Sequence, residues 1–363
     1  MNSLRDHFLT FLIRIQPKED RASLAVELPT KVRDFLKESD KIVTVEPHTR
    51  LSGSYARETA VKQIKDVDIL LFVDPKYKEK KDSAKAAINL LVNALDGLPK
   101  ALGDENGKVD AELSLKRQRR SVLVHVTVDS EEFDMDIVPA IYEGGKPEPI
   151  DVPDRDLSKW ISSNPLGYNE ALSKLNQDQK GKIVPLIKMF KHWRDVRMKY
   201  CRPKSYWQEC MVYKHADAKK LKIEDSSYGE LFHSLLISIY DDYIGTFEKD
   251  GAVPVVKDPM LGNNVAKFWT RAEFETFMRR MEESKNWAAR ALETEDEAKA
   301  IELWQKVFNE DGGEEYFPTT VDEALKSVLA RETIFISQTG KISGQKPVSE
   351  KVWESPKHRY FGK

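Results

Sequence analysis

Apolar residues recur at helical spacing through the first forty positions, at Phe8, Phe11 and Leu12 and again at Val32, Phe35 and Leu36, which predicts two helices. From Ile42 the texture changes to short β-branched runs, and strands are predicted over 42–45, 66–73, 109–115, 121–128 and 133–138. After Leu123, the 122–128 run alternates apolar with small or polar residues, as a strand with one wet face does. Between the second and third runs, Ala84, Ala87, Ile88, Leu91, Val92 and Leu95 form one helical stripe over 82–98. This mixed order points to an α+β fold rather than repeating βαβ units.

Beyond Tyr142, the glycines and prolines of EGGKPEPIDVPDRD interrupt regular structure, and from about Gln177 helical periodicity dominates through the EDEAKAIELWQKVF segment. The expected domains are therefore 1–175, holding the N-terminal helices and the sheet, and 176–335, which is helical. Residues 336–363 are rich in Gly, Ser, Lys and Pro, and are expected to form a flexible or docking tail that ends Tyr360-Phe361-Gly362-Lys363.

Composition narrows the function. The 363 residues suffice for a sizeable core, and 58 basic against 60 acidic side chains leave a net charge of -2. That balance gives no sign of a long duplex-binding surface and leans towards small nucleotides, which need a few well-placed cations. Cys201 and Cys210 offer no zinc-ligand spacing and read as reduced thiols. The first twenty residues lack a cleavage signal, and no apolar run reaches the length of about 20 residues that a membrane helix needs, so a cytoplasmic protein is expected. The basic run Lys116 to Arg120 falls at an expected hairpin connection, where a solvated cluster is the commoner role.

The chemistry concentrates in LSGSYARETAVKQIKDVDILLFVD. Strand alternation puts Asp66 and Asp68 on one face, where two repelling carboxylates make a hard oxygen site for magnesium. Gly53 lets backbone approach a phosphate, and Ser54 offers its N–H and hydroxyl. Alone, Gly-Ser is ordinarily a turn and Asp-x-Asp a solvated strand edge; it is their joint spacing before an apolar strand that points to phosphoryl transfer. Two-metal chemistry needs a third carboxylate, and Asp134 and Asp136 both qualify, since they share a face opposite Phe133, Met135 and Ile137. In the helix over 182–198, Lys188 and Lys191 stand three apart, a spacing more often found on a solvated face. Ser205 and Tyr206 follow, and the ordinary reading of Tyr206 is a core aromatic beside Trp207.

The chain resembles the polymerase-β-like nucleotidyltransferases, in the branch of oligoadenylate synthases and cyclic GMP-AMP synthase, and looks most similar to the bacterial CD-NTases that make cyclic oligonucleotide second messengers. The resemblance rests on GSYARETA, DVDILLFVD, DIVPA, LIKMFKHW and PKSYWQE, and spans roughly residues 45 to 270. It implies a catalytic core with a mixed sheet packed on a helical domain, bilobal with a central cleft, and an enzyme that joins nucleoside triphosphates, ATP among them, in bacterial anti-phage defence. It selects Asp136 over Asp134 as the third ligand, with Asp66 and Asp68, of two magnesium ions, or of manganese in their place. It also implies Lys191 as the main triphosphate ligand with Lys188 assisting, Ser205 on phosphate, and Tyr206 stacked on a base. KDPMLGNNVAKFW is similar to the family's loop near the nucleotide, with Asp258, Pro259 and Asn264, although turn chemistry accounts for these residues equally well. A regulatory or conjugating protein at the C-terminal tail is a further expectation. The zinc-binding insertion with which the animal enzyme reads DNA is missing from the sequence, so no DNA trigger is expected. An RNA- or tRNA-end nucleotidyltransferase, a linear oligoadenylate synthase and an inactive nucleotide-binding regulator are the competing readings.

Overall fold

A computed structural model of the chain describes residues 4–17, 19–62, 64, 66–79, 82–102, 112–128, 131–142, 149–198, 203–221, 223, 226–321, 333–337, 342–343 and 352–356. It divides into two compact units, residues 17–170 and residues 1–16 with 171–363. In chain order, α1 (Arg5–Arg14) and α2 (Glu19–Glu38) lead into β1 (Thr44–Ser52), the single turn α3 (Gly53–Ala56), β2 (Asp66–Val73), α4 (Ser83–Ala94) and α5 (Leu98–Leu102). Next come β3 (Glu112–Arg117), β4 (Val122–Val128), β5 (Glu131–Ala140), the hairpin β6 (Ile150–Asp154) and β7 (Lys159–Ser163), and α6 (Pro165–Asp178), within which the units divide. The remaining elements are α7 (Ile183–Arg197), α8 (Ser205–Asp217), α9 (Tyr228–Asp250), α10 (Arg271–Glu293), α11 (Glu297–Phe308), β8 (Thr333–Ser337), β9 (Ile342–Ser343) and β10 (Val352–Pro356).

The sheet unit is a mixed five-stranded sheet of order β1-β2-β5-β4-β3, in which β2 and β5 pair in parallel and the other neighbours are antiparallel. Period-two alternation gives it two different faces. On one, Val67, Ile69 and Leu71 of β2, Met135 and Ile137 of β5, and Val122, Val124 and Val126 of β4 share a core with Val32 and Leu36 of α2 and Ile88 and Leu91 of α4. The other face is split along its strands. Leu70 and Phe72 of β2 and Val138 and Ala140 of β5 lie under Ile150, Val152 and Ile161 of the β6–β7 hairpin, while the earlier residues of both strands, the aspartates, stay outside that cover. The hairpin is tied down by the fully buried Asp154, whose two oxygens each accept from Arg119 Nε at 2.9 Å and which also faces Arg120. Part of the basic run at the β3–β4 turn thus serves the fold.

The helical unit is built around α7, whose residues are buried almost all round. The first helix belongs here and not with the sheet, where the sequence reading placed both N-terminal helices. Phe11 lies 4.4 Å from the Phe308 ring, and Phe8 packs edge-on to Trp304 at 4.9 Å, contacts across some 300 residues that local periodicity cannot register. α9 and α10 each open on a capping box, Ser227 with Glu230 and Thr270 with Glu273. The segment expected as a tail contributes to an antiparallel sheet of order β10-β8-β9. Its terminal Tyr360 to Lys363 lies outside the described residues, as does Cys201, while Cys210 is buried. Among the described residues, no helix is long and apolar enough to cross a membrane.

One buried group carries a measurable consequence. His215 is fully buried, with Nδ1 2.6 Å from Ser238 Oγ and Nε2 lacking a hydrogen-bond partner among the described residues. Burial pushes its imidazole down to about 4; Asp242 pulls the other way, and Lys220 and Lys214 add to the depression. Because the folded value lies below the unfolded value of 6.5, the unfolded chain binds more protons between the two, and stability falls as pH is lowered through that window. In urea unfolding between pH 7 and pH 4.5, wild type is expected to lose roughly 2–3 kcal/mol more than His215→Gln.

Candidate active site

The parallel register pairs Asp66 with Asp134 and Asp68 with Asp136, so four carboxylates stand in two adjacent rows on the uncovered end of the sheet. Opposite β5, the first row continues to His125 and the second to Leu123 on β4. On the other side, Ser52 at the end of β1 pairs with Asp68, and the chain turns at once into α3. Gly53 makes that turn at φ +70°, and a Cβ placed there would lie 1.6 Å from Asp68 Oδ2. The Asp68 carboxylate therefore rests on bare backbone, with Ser54 next in the turn. Gly53, Ser54, Asp66, Asp68 and Asp136 are thus brought together within the sheet unit.

The two candidates for third carboxylate have different surroundings. Asp136 accepts from Ser121 Oγ at 3.1 Å, whereas Asp134 is 2.7 Å from His125 Nδ1. Burial raises the Asp136 carboxyl above the usual carboxylate range against the Ser121 hydroxyl, and the charges of Asp66 and Asp134 push it the same way. Among the described residues, no three acidic, histidine or cysteine side chains converge as a ready-made metal cage. The donor set is nevertheless all hard carboxylate oxygen, and a cation beside Asp136 would favour the charged form that burial, and then the charges of Asp66 and Asp134, disfavour, so these residues fit magnesium.

Lys188, Lys191, Ser205 and Tyr206 all lie in the helical unit. Neither lysine is on a solvated face: Lys188 is 5% exposed and Lys191 2%, and Lys191 Nζ donates to the equally buried Glu209 Oε1 at 2.6 Å. The same two helices are joined by Gln208 Nε2 donating to the Phe190 carbonyl at 2.8 Å. Arg194 of α7 donates to the Pro203 carbonyl and to Ser205 Oγ, both at 3.0 Å, which fixes the start of α8. Tyr206 is half-buried, and its hydroxyl donates to Asp258 Oδ2 at 2.9 Å. Asp258 also accepts from the Met260 and Leu261 amides, and Asn264 from Val256 and Ala266, so turn chemistry accounts for this loop and additionally anchors Tyr206. Sequence reasoning passed over Ser121, His125, Arg194 and Glu209. For the strand residues the missing signal was register; for the helix residues a buried salt bridge looks, in sequence, like surface charge.

The profile of the Second Messenger Oligonucleotide or Dinucleotide Synthetase domain matches residues 1–176. A cyclic AMP-AMP-AMP synthase from an Acinetobacter strain is 33% identical over 313 residues, 84% of this chain and 83% of that protein. The chain belongs to the CD-NTase family. This CD-NTase is accordingly a nucleotidyltransferase of the cyclic oligonucleotide synthase type. Its fold is shared by Escherichia coli CdnC, solved with ATP, at a TM-score of 0.61 and 17% identity, covering 85% of this chain and 99% of that one. Bradyrhizobium diazoefficiens CdnG, solved with GTP, gives a TM-score of 0.62 at 15% identity over 83% and 94%. CdnC has also been solved in complex with HORMA-deltaN.

Gly53→Ala is expected to displace the Asp68 carboxylate and to lower turnover about 100-fold, the scale set by a misplacement of about 1 Å at a reacting centre. Steady-state pyrophosphate release, alongside an unchanged far-UV circular dichroism spectrum, checks it.

Proposed function

We propose that this CD-NTase joins nucleoside triphosphates through phosphodiester bonds, releasing pyrophosphate, and closes the product into a ring, with ATP as a substrate and a cyclic triadenylate as the product. The observation that carries this reading is the seating of Asp68 on Gly53 with Asp136 beside it in register: a phosphate-approach turn and a carboxylate set meet on one open sheet face. The Acinetobacter relative supports the adenine ring of three, and family membership supports a second-messenger role in anti-phage defence.

In this reading Asp66, Asp68 and Asp136 would hold magnesium, which when bound would supply positive charge against the triphosphate and the acceptor hydroxyl. Gly53 and Ser54 offer backbone N–H groups to phosphate oxygens. Ser205 accepts from Arg194, which leaves its own proton to donate to phosphate, and Tyr206, pinned at its hydroxyl, presents a ring for a base. Lys188 and Lys191 supply positive charge, Lys191 from an ammonium that also donates to Glu209. A regulatory protein at the C-terminal segment completes the proposal; most of that segment lies outside the described residues.

Incubation with all four triphosphates and magnesium, followed by mass spectrometry, is expected to give the cyclic triadenylate without added nucleic acid. Linear products alone would remove ring closure, and a requirement for RNA would replace the reading with RNA-end transfer. Asp66→Asn combined with Asp68→Asn is expected to lower pyrophosphate release roughly 1000-fold or more in a folded protein.

A further inference from the structure

His125 and Asp134 form a pair at the edge of the carboxylate rows that the proposed chemistry leaves unused. Their 2.7 Å contact joins side chains that are 34% and 39% exposed, on the face that the β6–β7 hairpin leaves open. A carboxylate only accepts, so Nδ1 carries the ring proton and donates it, and Nε2 is the atom left to bond to something else. Among the described residues, Asp134 is the hydrogen-bond partner that the ring has.

We propose that His125 contacts the acceptor nucleotide on the far side of the carboxylates, and that Asp134 is its positioning partner and not a metal ligand. This rests on the nucleotidyl-transfer reading above. The sheet order supplies the direction. Gly53-Ser54 follows β1, the carboxylates sit on β2 and β5, and His125 lies on β4, so the phosphate turn and the histidine flank the aspartates from opposite sides. With the donor triphosphate at Gly53-Ser54, the β4 side is left for the nucleotide whose ribose hydroxyl attacks. One inter-strand spacing and two residues of strand separate Asp136 from His125, a diagonal of about 8 Å, which is close to the length of one nucleoside. A hydroxyl placed at Asp136 therefore brings the rest of its own nucleoside over His125, whose Nε2 accepts from a ribose hydroxyl or an exocyclic amine.

Asp134 differs from Asp136 in the way this role requires. Its acceptor oxygen is committed to an imidazole N–H, which orients the ring, much as carboxylates orient functional histidines elsewhere. Among the described residues, the hydrogen bond to the Asp136 side chain is the longer one from the Ser121 hydroxyl, and Asp136 pairs in register with Asp68, the residue seated on Gly53.

The test compares full-length wild type with His125→Ala, His125→Gln, Asp134→Ala, Asp134→Asn and Asp136→Ala. Loss of one hydrogen bond to the acceptor raises KM for ATP about tenfold in His125→Ala while kcat for pyrophosphate release stays within about twofold. His125→Gln is measured alongside, so that a folding defect in the alanine variant leaves the KM comparison intact. Asp134→Ala reproduces the KM change, and Asp134→Asn, which keeps an acceptor oxygen for the ring N–H, recovers most of it. Long-range imidazole NMR reads Nδ1–H as the His125 tautomer in wild type and Asp134→Asn, and a mixture in Asp134→Ala. Mn²⁺ affinity, followed by electron paramagnetic resonance, is retained in Asp134→Ala and falls at least about tenfold in Asp136→Ala. Unchanged KM in both histidine variants, or equal loss of Mn²⁺ affinity at 134 and 136, overturns the inference while leaving nucleotidyl transfer in place. A wild-type protein that releases no pyrophosphate from ATP overturns both.

Discussion

Parallel pairing of β2 with β5 sets four carboxylates side by side, and an arrangement of like charges this dense is unfavourable unless its neighbours are arranged to hold it. The neighbours do so by different means. Asp68 lies on bare backbone at Gly53, Asp136 accepts from a serine, Asp134 is engaged by a histidine, and the β6–β7 hairpin shields the apolar part of the same face. Parallel strands also need a crossover, and here the chain between them builds α4, β3 and β4, so the element that supplies His125 belongs to the connection that makes the parallel pair possible.

In the helical unit, polar side chains take over work that apolar packing does elsewhere. α7 is buried nearly all round although it carries Lys188, Lys191, His192 and Arg194. His192 contacts the Phe308 carbonyl at 2.8 Å, and Lys191 and Arg194 reach into α8. A buried ion pair adds little net stability against a well-packed apolar alternative. It does fix direction, and the start of α8, where Ser205 and Tyr206 sit, is held by such directional bonds.

Much of the sheet unit was legible from the sequence, because β-branched runs and their alternation are local properties. The shared face of Asp66 and Asp68, and the tie between Asp134 and Asp136, follow from a period of two. What lies between strands was not legible: that Asp134 faces His125 and Asp136 meets Ser121 depends on register, which no single strand encodes. The same limit hid the partner of α1, since its aromatic residues meet α11 across most of the chain. Lys191 reads as surface charge because its carboxylate, eighteen residues on, becomes visible only once α7 and α8 are packed. The Gly- and Ser-rich C-terminal segment lacks the apolar density that marks a strand, yet it pairs as β9 and β10.

The turn at Gly53 bears on how this sequence can change over generations. Two separate obstacles protect the position: a backbone angle that L residues rarely adopt, and the carboxylate that occupies the place of a side chain. Asparagine tolerates the first but still collides with the second. Relieving the collision means turning the Asp68 carboxylate, on which the candidate site is built, out of its place. Positions 53 and 68 are therefore coupled as an epistatic pair: what position 53 can hold depends on where the side chain at 68 lies, and a change at either one alters the demand on the other.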